Sequence, residues 1–221
     1  MDSSAWFSLK LSLQIASIAT LMIVAVGVSL AYLLAMKKFW GKEVLDIVLT
    51  LPLVLPPTVT GYYLIVLFGR NGLIGKPLFE TTGWSVMFTW QAAVLASFVV
   101  ALPLMIRTAR AAIEAVDSNL IKASYTLGHS PFRTALYVIL PLAKKGVIAG
   151  TVLSFARAMG EFGATLMLAG NIPGKTDTMP LAIYSLAGSG DWSKAHVMVA
   201  VFTLISGLFL YMANTYSREK I

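Results

Sequence analysis

The 221-residue sequence contains no cysteine, which excludes disulfide cross-links and thiol-ligated metal centres. It has only two histidines, His129 and His196, far apart and without a ligand pattern near either, so both read as polar loop or interface residues. Charge is scarce as well. Only 12% of the residues are Asp, Glu, Lys or Arg, where soluble domains carry about 25%. A globule of this length could bury a core, but it could not cover its surface with so few charges. With hydrophobic residues at 57%, the excess apolar surface calls for lipid as its solvent. No nucleophile–base pair or metal-ligand cluster is visible, which argues against a membrane enzyme.

What the sequence has instead is long charge-free runs. Leu11–Met36 and Thr81–Ile106 hold 26 residues each, Ile47–Gly69 holds 23 and Val197–Ser217 holds 21. A bilayer core about 30 Å thick is crossed by roughly 20 helical residues. Gly146 to Met167 is apolar apart from Arg157 and Glu161 and reads as a further span. The expectation is an all-α polytopic membrane protein, one transmembrane domain over 1–221, with five helices at about 11–36, 47–69, 81–106, 146–167 and 197–217. The first run reads as a spanning helix and not as a cleaved signal peptide: its apolar core is too long, and Asp2 stands where a basic region belongs.

Lysine and arginine set the orientation. With the N-terminus outside and the C-terminus cytoplasmic, the inner segments hold Lys37, Lys38, Lys42, Arg107, Arg110, Lys122, Arg133, Lys144, Lys145, Arg218 and Lys220. The outer side and the fourth helix hold the remaining six: Lys10, Arg70, Lys76, Arg157, Lys175 and Lys194. The net charge of +7 is therefore an inner-face bias and requires no nucleic-acid partner.

One string imitates a phosphate loop. From Ala169, four spacers lead to Gly174-Lys175-Thr176. A working phosphate loop needs a strand feeding a glycine-rich turn whose amides point at phosphate, followed by a helix. Here a membrane helix precedes the string, Pro173 removes an amide, and the topology puts the loop outside. No catalytic, metal or cofactor site is therefore expected in this chain.

The third connection, 107–145, is long and lies inside. Asp117 or Ser118 can cap a helix there, and Gly128 can end it in a left-handed conformation. Leu120, Ala123, Ser124 and Leu127 recur at helical spacing, with Ile121 and Tyr125 on an adjacent stripe. About ten residues is too short for a stable isolated helix. Periodicity alone fits equally a helix docked in a partner's groove and a helix lying on the inner membrane surface.

This loop resembles the EAA motif of bacterial ABC-importer permease subunits: Glu-Ala-Ala, three residues, Gly, nine residues, then Ile-x-Leu-Pro. Lys122-Ala123-Ser124, Gly128 and Val138-Ile139-Leu140-Pro141 keep that spacing, with Lys122, Ser124 and Val138 departing in identity and Lys122 reversing a charge. The likeness continues in LPLVLPPTVTGYYLIVLFGRNGLIG (51–75) and FARAMGEFGATLMLAGNIPG (155–174), which are similar to molybdate permeases in particular. The Gly160-Glu161-Phe162-Gly163 stretch taken alone resembles sulfate and tungstate permeases too.

The resemblance implies a coupling helix between helices 3 and 4 that docks on a separate ATPase, with Asp117, Leu120, Ile121, Ala123, Ser124, Tyr125 and Gly128 as the coupling residues. It further implies a homodimer with two ATPase subunits, which would bind the ATP and Mg, and a periplasmic molybdate-binding protein. The expected location is the bacterial inner membrane, multi-pass, without the extra N-terminal helix some relatives carry.

Two features suggest a transport route. Pro52, Pro56 and Pro57 interrupt the second helix, followed by Thr58, Thr60 and Gly61; freed backbone at depth lines a cavity or packs as a kink. Arg157 and Glu161, at i and i+4, read either as a structural pair or as a site where Arg157 attracts oxyanion. Gly146 and Gly150 mark close helix packing, within or between subunits. Sulfate or tungstate are the alternative substrates. A secondary transporter or channel is the remote alternative; it would need a carboxylate relay or inverted repeats, and Glu161 is the sole deep carboxylate, with no repeat between halves.

Overall fold

Apolar composition combined with helical periodicity gives helices throughout. The computed structural model describes residues 3–218, with side chains through 211, and shows helices and no strand among them. We number them α1 (Ser3–Met36), α2 (Lys42–Val54), α3 (Pro57–Phe68), α4 (Gly75–Thr82), α5 (Trp90–Glu114), α6 (Ser118–Thr126), α7 (Pro131–Met159), α8 (Gly163–Ala169), α9 (Met179–Gly188) and α10 (Trp192–Arg218). Asp2, used above against a signal peptide, and Lys220, used for the orientation, lie outside the described residues, as does the side chain of Arg218.

Four of these, α1, α5, α7 and α10, are long and apolar enough to cross a membrane. The expected span 47–69 is instead two helices of 13 and 12 residues, parted at Leu55-Pro56. Pro56 has no amide to continue the ladder, and Pro57 restarts it at a first-turn position where the missing N–H costs nothing.

Three other boundaries are corrected. The run 81–106 is not one helix: its first two residues end α4, Gly83 with φ 70° stops that helix, and α5 begins only at Trp90 behind the Thr89 cap. The segment 146–167 is broken at Gly160–Phe162 and starts earlier, at Pro131. The connection 107–145 is mostly helix, because α5 continues to Glu114 and α7 begins at Pro131. At their outer limits, α1 starts before Lys10 and α10 before Val197.

α5 is the axis of the fold. Along α1, Ala16, Ala19, Ile23, Gly27 and Ala31 recur every three or four residues and are buried against it. Gly27 lies so close to Met105 that a Cβ there would come within 2.7 Å of Met105 Cγ. Small residues allow such approach between membrane helices, where packing takes the place of hydrophobic drive. On the other side, a Cβ at Gly146 would collide with Ala112, and one at Gly150 would come within 2.8 Å of Met105 Sδ. The Gly146/Gly150 pair thus serves contact within the subunit. A smaller cluster of Ala5, Leu9, Met179 and Met198 ties α1 to α9 and α10.

Candidate coupling and translocation site

Asp117 starts α6. Its carboxylate accepts the Asn119 N–H at 2.8 Å, supplying one of the partners a helix start lacks. At the other end, Gly128 takes φ 82°. Its N–H donates to the Tyr125 carbonyl at 3.0 Å, and the His129 N–H donates to that of Ser124 at 3.2 Å. This pair of bonds is the Schellman ending, which needs a left-handed residue where Gly128 stands. Both expected caps are present.

α6 divides its side chains between two tasks. Ser124 is buried, with its hydroxyl 2.9 Å from Thr134 Oγ1 and 3.2 Å from His129 Nδ1, and Ile121 packs against the main core. Leu120, Ala123, Tyr125 and Leu127 are exposed, as is Lys122. The expected stripe therefore splits: Ser124 and Ile121 anchor the helix, and the apolar remainder is presented outward. Sequence reasoning missed Thr134 and His129; their one signal was polarity next to Pro131, where Ser130 Oγ accepts the Arg133 N–H and caps α7.

α7 carries the anchor onward. Its second turn, Ala135–Ile139, is a π turn. Pro141 has no N–H for the carbonyl four residues back, and the widened turn just before it absorbs the mismatch. From Thr134 to Arg157 the helix then rises about 35 Å at 1.5 Å per residue.

At its far end, Arg157 Nη1 lies 2.8 Å from Glu161 Oε2, with the Glu161 side chain 1% exposed and that of Arg157 32%. Glu161 Oε1 accepts the Ala164 N–H at 2.9 Å. One carboxylate thus bridges the break, pairing with the last turn of α7 and capping the first turn of α8. Arg157 is neutralised in place.

The two helix breaks meet. A Cβ on Gly163 would come within 2.7 Å of Pro57 Cβ, and one on Gly61 within 2.7 Å of Met167 Cβ. α3 and α8 therefore lie in contact along Pro57/Gly163 and Gly61/Met167. Thr60 and Gly61 are buried in or beside that seam, whereas Pro56, Pro57 and Thr58 are exposed. The predicted route residues form one neighbourhood. Phe162 contributes a neighbour that the sequence did not single out, with Tyr184 5.2 Å away between ring centres.

The string that imitates a phosphate loop forms a closed turn. Thr176 is fully buried, its hydroxyl donating to the Gly170 carbonyl and accepting the Ile172 N–H at 3.0 Å. Gly170 and Gly174 both have positive φ. Beside it, Ser8 Oγ donates to Asp177 Oδ2 at 3.2 Å, and burial pushes the Asp177 carboxyl above its ordinary range. A threonine committed on both sides is unavailable to a metal-bound phosphate.

The family profile described as binding-protein-dependent transport system inner membrane component matches residues 17–220. The chain belongs to this family. Among similar members, the molybdenum transport system permease protein ModB of Escherichia coli (strain K12) is 43% identical over 97% of this chain and 96% of its own. The putative molybdenum transport system permease protein YvgM of Bacillus subtilis (strain 168) is 42% identical over 96% and 93%. The probable sulfate transport system permease protein cysT of Chlorella vulgaris is 34% identical over 99% and 82%.

Solved structures share the fold. A bacterial ABC transporter involved in alginate import aligns with a TM-score of 0.79 at 13% identity, covering 99% of this chain and 80% of the other. The MetNI methionine ABC transporter aligns at 0.71 and 16%, covering 99% and 98%. As a member of this family the chain is a transport subunit, not an enzyme.

Proposed function

We propose that the chain is the membrane subunit through which an ABC importer moves molybdate across a bacterial inner membrane. The observation that carries the substrate is the 43% identity, nearly end to end, with a molybdenum transport permease, against 34% for a sulfate relative. The subunit works as a homodimer with two ATPase subunits, which bind ATP and Mg, and with a periplasmic molybdate-binding protein. Its N-terminus is outside and its C-terminus cytoplasmic. The membrane is crossed five times, with the α2–α3 pair, interrupted at Pro56, as the second crossing.

In this reading the exposed face of α6 docks on the ATPase. Movement of the ATPase passes through the Ser124–Thr134 contact into α7 and along it to the Arg157–Glu161 pair. Because Glu161 also caps α8, and α8 packs on α3, a tilt of α7 shifts both broken helices together. The anion passes a neutralised arginine and exposed backbone at Pro56–Thr58. That suits transport: a free buried cation would hold a doubly charged oxyanion too tightly to release it.

Substrate identity is tested by uptake into proteoliposomes containing the assembled complex and its binding protein. Radiolabelled molybdate should accumulate with ATP, with excess sulfate competing poorly. Effective competition by sulfate would move the assignment to sulfate.

A further inference from the structure

The turn between α1 and α2 is unused by the transport reading. α1 ends at Met36, and Gly41, at φ 84°, reverses the chain into α2. The reversal leaves Trp40 fully exposed and Val44 and Val48 more than half exposed. These side chains, with Lys38 and Lys42, line an open cleft of about 810 Å³. Lys37, Lys38 and Lys42 form no ion pair among the described residues. Two acids lie in residues 37–48. Asp46 is held by Arg110 at 2.9 Å, which leaves Glu43 alone against three lysines.

We propose that this cleft binds an anionic phospholipid. Lys38 and Lys42 would hold the headgroup phosphate, with Lys37 adding to the field. Val44 and Val48 would receive the upper part of an acyl chain, and the Trp40 indole would lie at headgroup level. The chemistry selects this occupant. A fully exposed indole directly after a membrane-spanning helix is at home in the interfacial belt, and clustered lysines beside a membrane helix attract acidic headgroups. A free phosphate would satisfy the lysines but would make no use of the indole and the valines beside them.

The test uses the full-length chain with Trp6, Trp84, Trp90 and Trp192 replaced by Phe, so that Trp40 alone fluoresces. It is reconstituted in phosphatidylcholine vesicles containing a minor fraction of phosphatidylglycerol, with only one of the two lipids brominated. Per brominated molecule, the phosphatidylglycerol should quench Trp40 at least about fivefold more strongly, and each Lys→Gln change at 37, 38 and 42 should lower that preference by up to about fivefold. Equal quenching by both lipids would overturn the proposal, as would a preference that survives all three changes. Quenching by neither lipid would also overturn it, since a protein surface would then cover the turn. A second measurement avoids the Phe replacements: phosphatidylglycerol should co-purify with the natural sequence in excess over the triple Lys→Gln variant. Equal amounts would contradict the site.

Discussion

The hydroxyls of Ser124 and Thr134 lie 2.9 Å apart in a buried seam, and through them α6 holds the base of α7. An isolated helix of nine residues would not keep its shape or direction. Its caps fix the shape, and this contact fixes the direction.

Removing one hydroxyl should therefore cost more than removing both. Ser124→Ala leaves the Thr134 hydroxyl buried with its best partner gone, a penalty of about 1–3 kcal/mol. We expect Ser124→Ala to lower the number of molybdate ions moved per ATP, and Ser124→Ala with Thr134→Val to recover part of it. Transport and hydrolysis measured together give the ratio. A double variant as poorly coupled as the sum of the singles would contradict the link.

At Gly128, the backbone decides the outcome. A Cβ there would meet nothing within 4 Å, so any penalty comes from the φ of 82° alone. That conformation costs a residue with Cβ roughly 1–2 kcal/mol, least for Asn. Gly128→Val should weaken ATPase co-purification or uncouple hydrolysis while leaving membrane insertion intact. Gly128→Asn should lie close to the natural protein. Equal effects of Val and Asn would show that the turn geometry is not what matters.

Much of this was legible beforehand, and the limits have physical causes. Asp117 and Gly128 were readable because caps depend on single residue types at fixed offsets. The break at Pro56 was readable because proline removes a donor. The break at Gly160–Phe162 was not, since an apolar segment keeps its composition whether its backbone runs straight or turns. The end of α5 differs from the expectation for a related reason: charge marks where an apolar run ends, and α5 continues past Arg107 and Arg110 as helix to Glu114. The Ser124–Thr134 contact joins two elements across a turn, a relation that helical periodicity does not encode.

Arg157 and Glu161 separate pairing from anion attraction. Arg157→Met leaves Glu161 buried and unpaired, which should cost about 3–5 kcal/mol and lower the melting temperature sharply. Adding Glu161→Gln should restore most of the stability. If the arginine only pairs, the double variant transports; if it also attracts oxyanion, the double variant is stable and slow. The account predicts transport, and a stable, inactive double variant would assign the arginine to the route.

Asp177 should make stability depend on pH. Burial raises its folded pKa above the ordinary 3.8, opposed by the amides of Asp177, Gly174 and Lys175 and by the Ser8 hydroxyl. The group's stabilising contribution is therefore complete below 3.8 and is lost as pH rises through the folded value. Asp177→Asn, which stays neutral, should gain in melting temperature relative to the natural protein over that window. A variant that loses ground as pH rises would reverse the sign and contradict the burial argument.

The central claim is that this chain forms a passage driven from outside itself, by an ATPase acting through α6. Molybdate uptake into sealed vesicles tests it directly, with the purified chain reconstituted alone or with its ATPase and binding protein. The account predicts uptake only when all three proteins and ATP are present, unaffected by Lys175→Ala and lost when α6 cannot dock. Uptake by the chain alone, driven by an ion gradient without ATP, would contradict it.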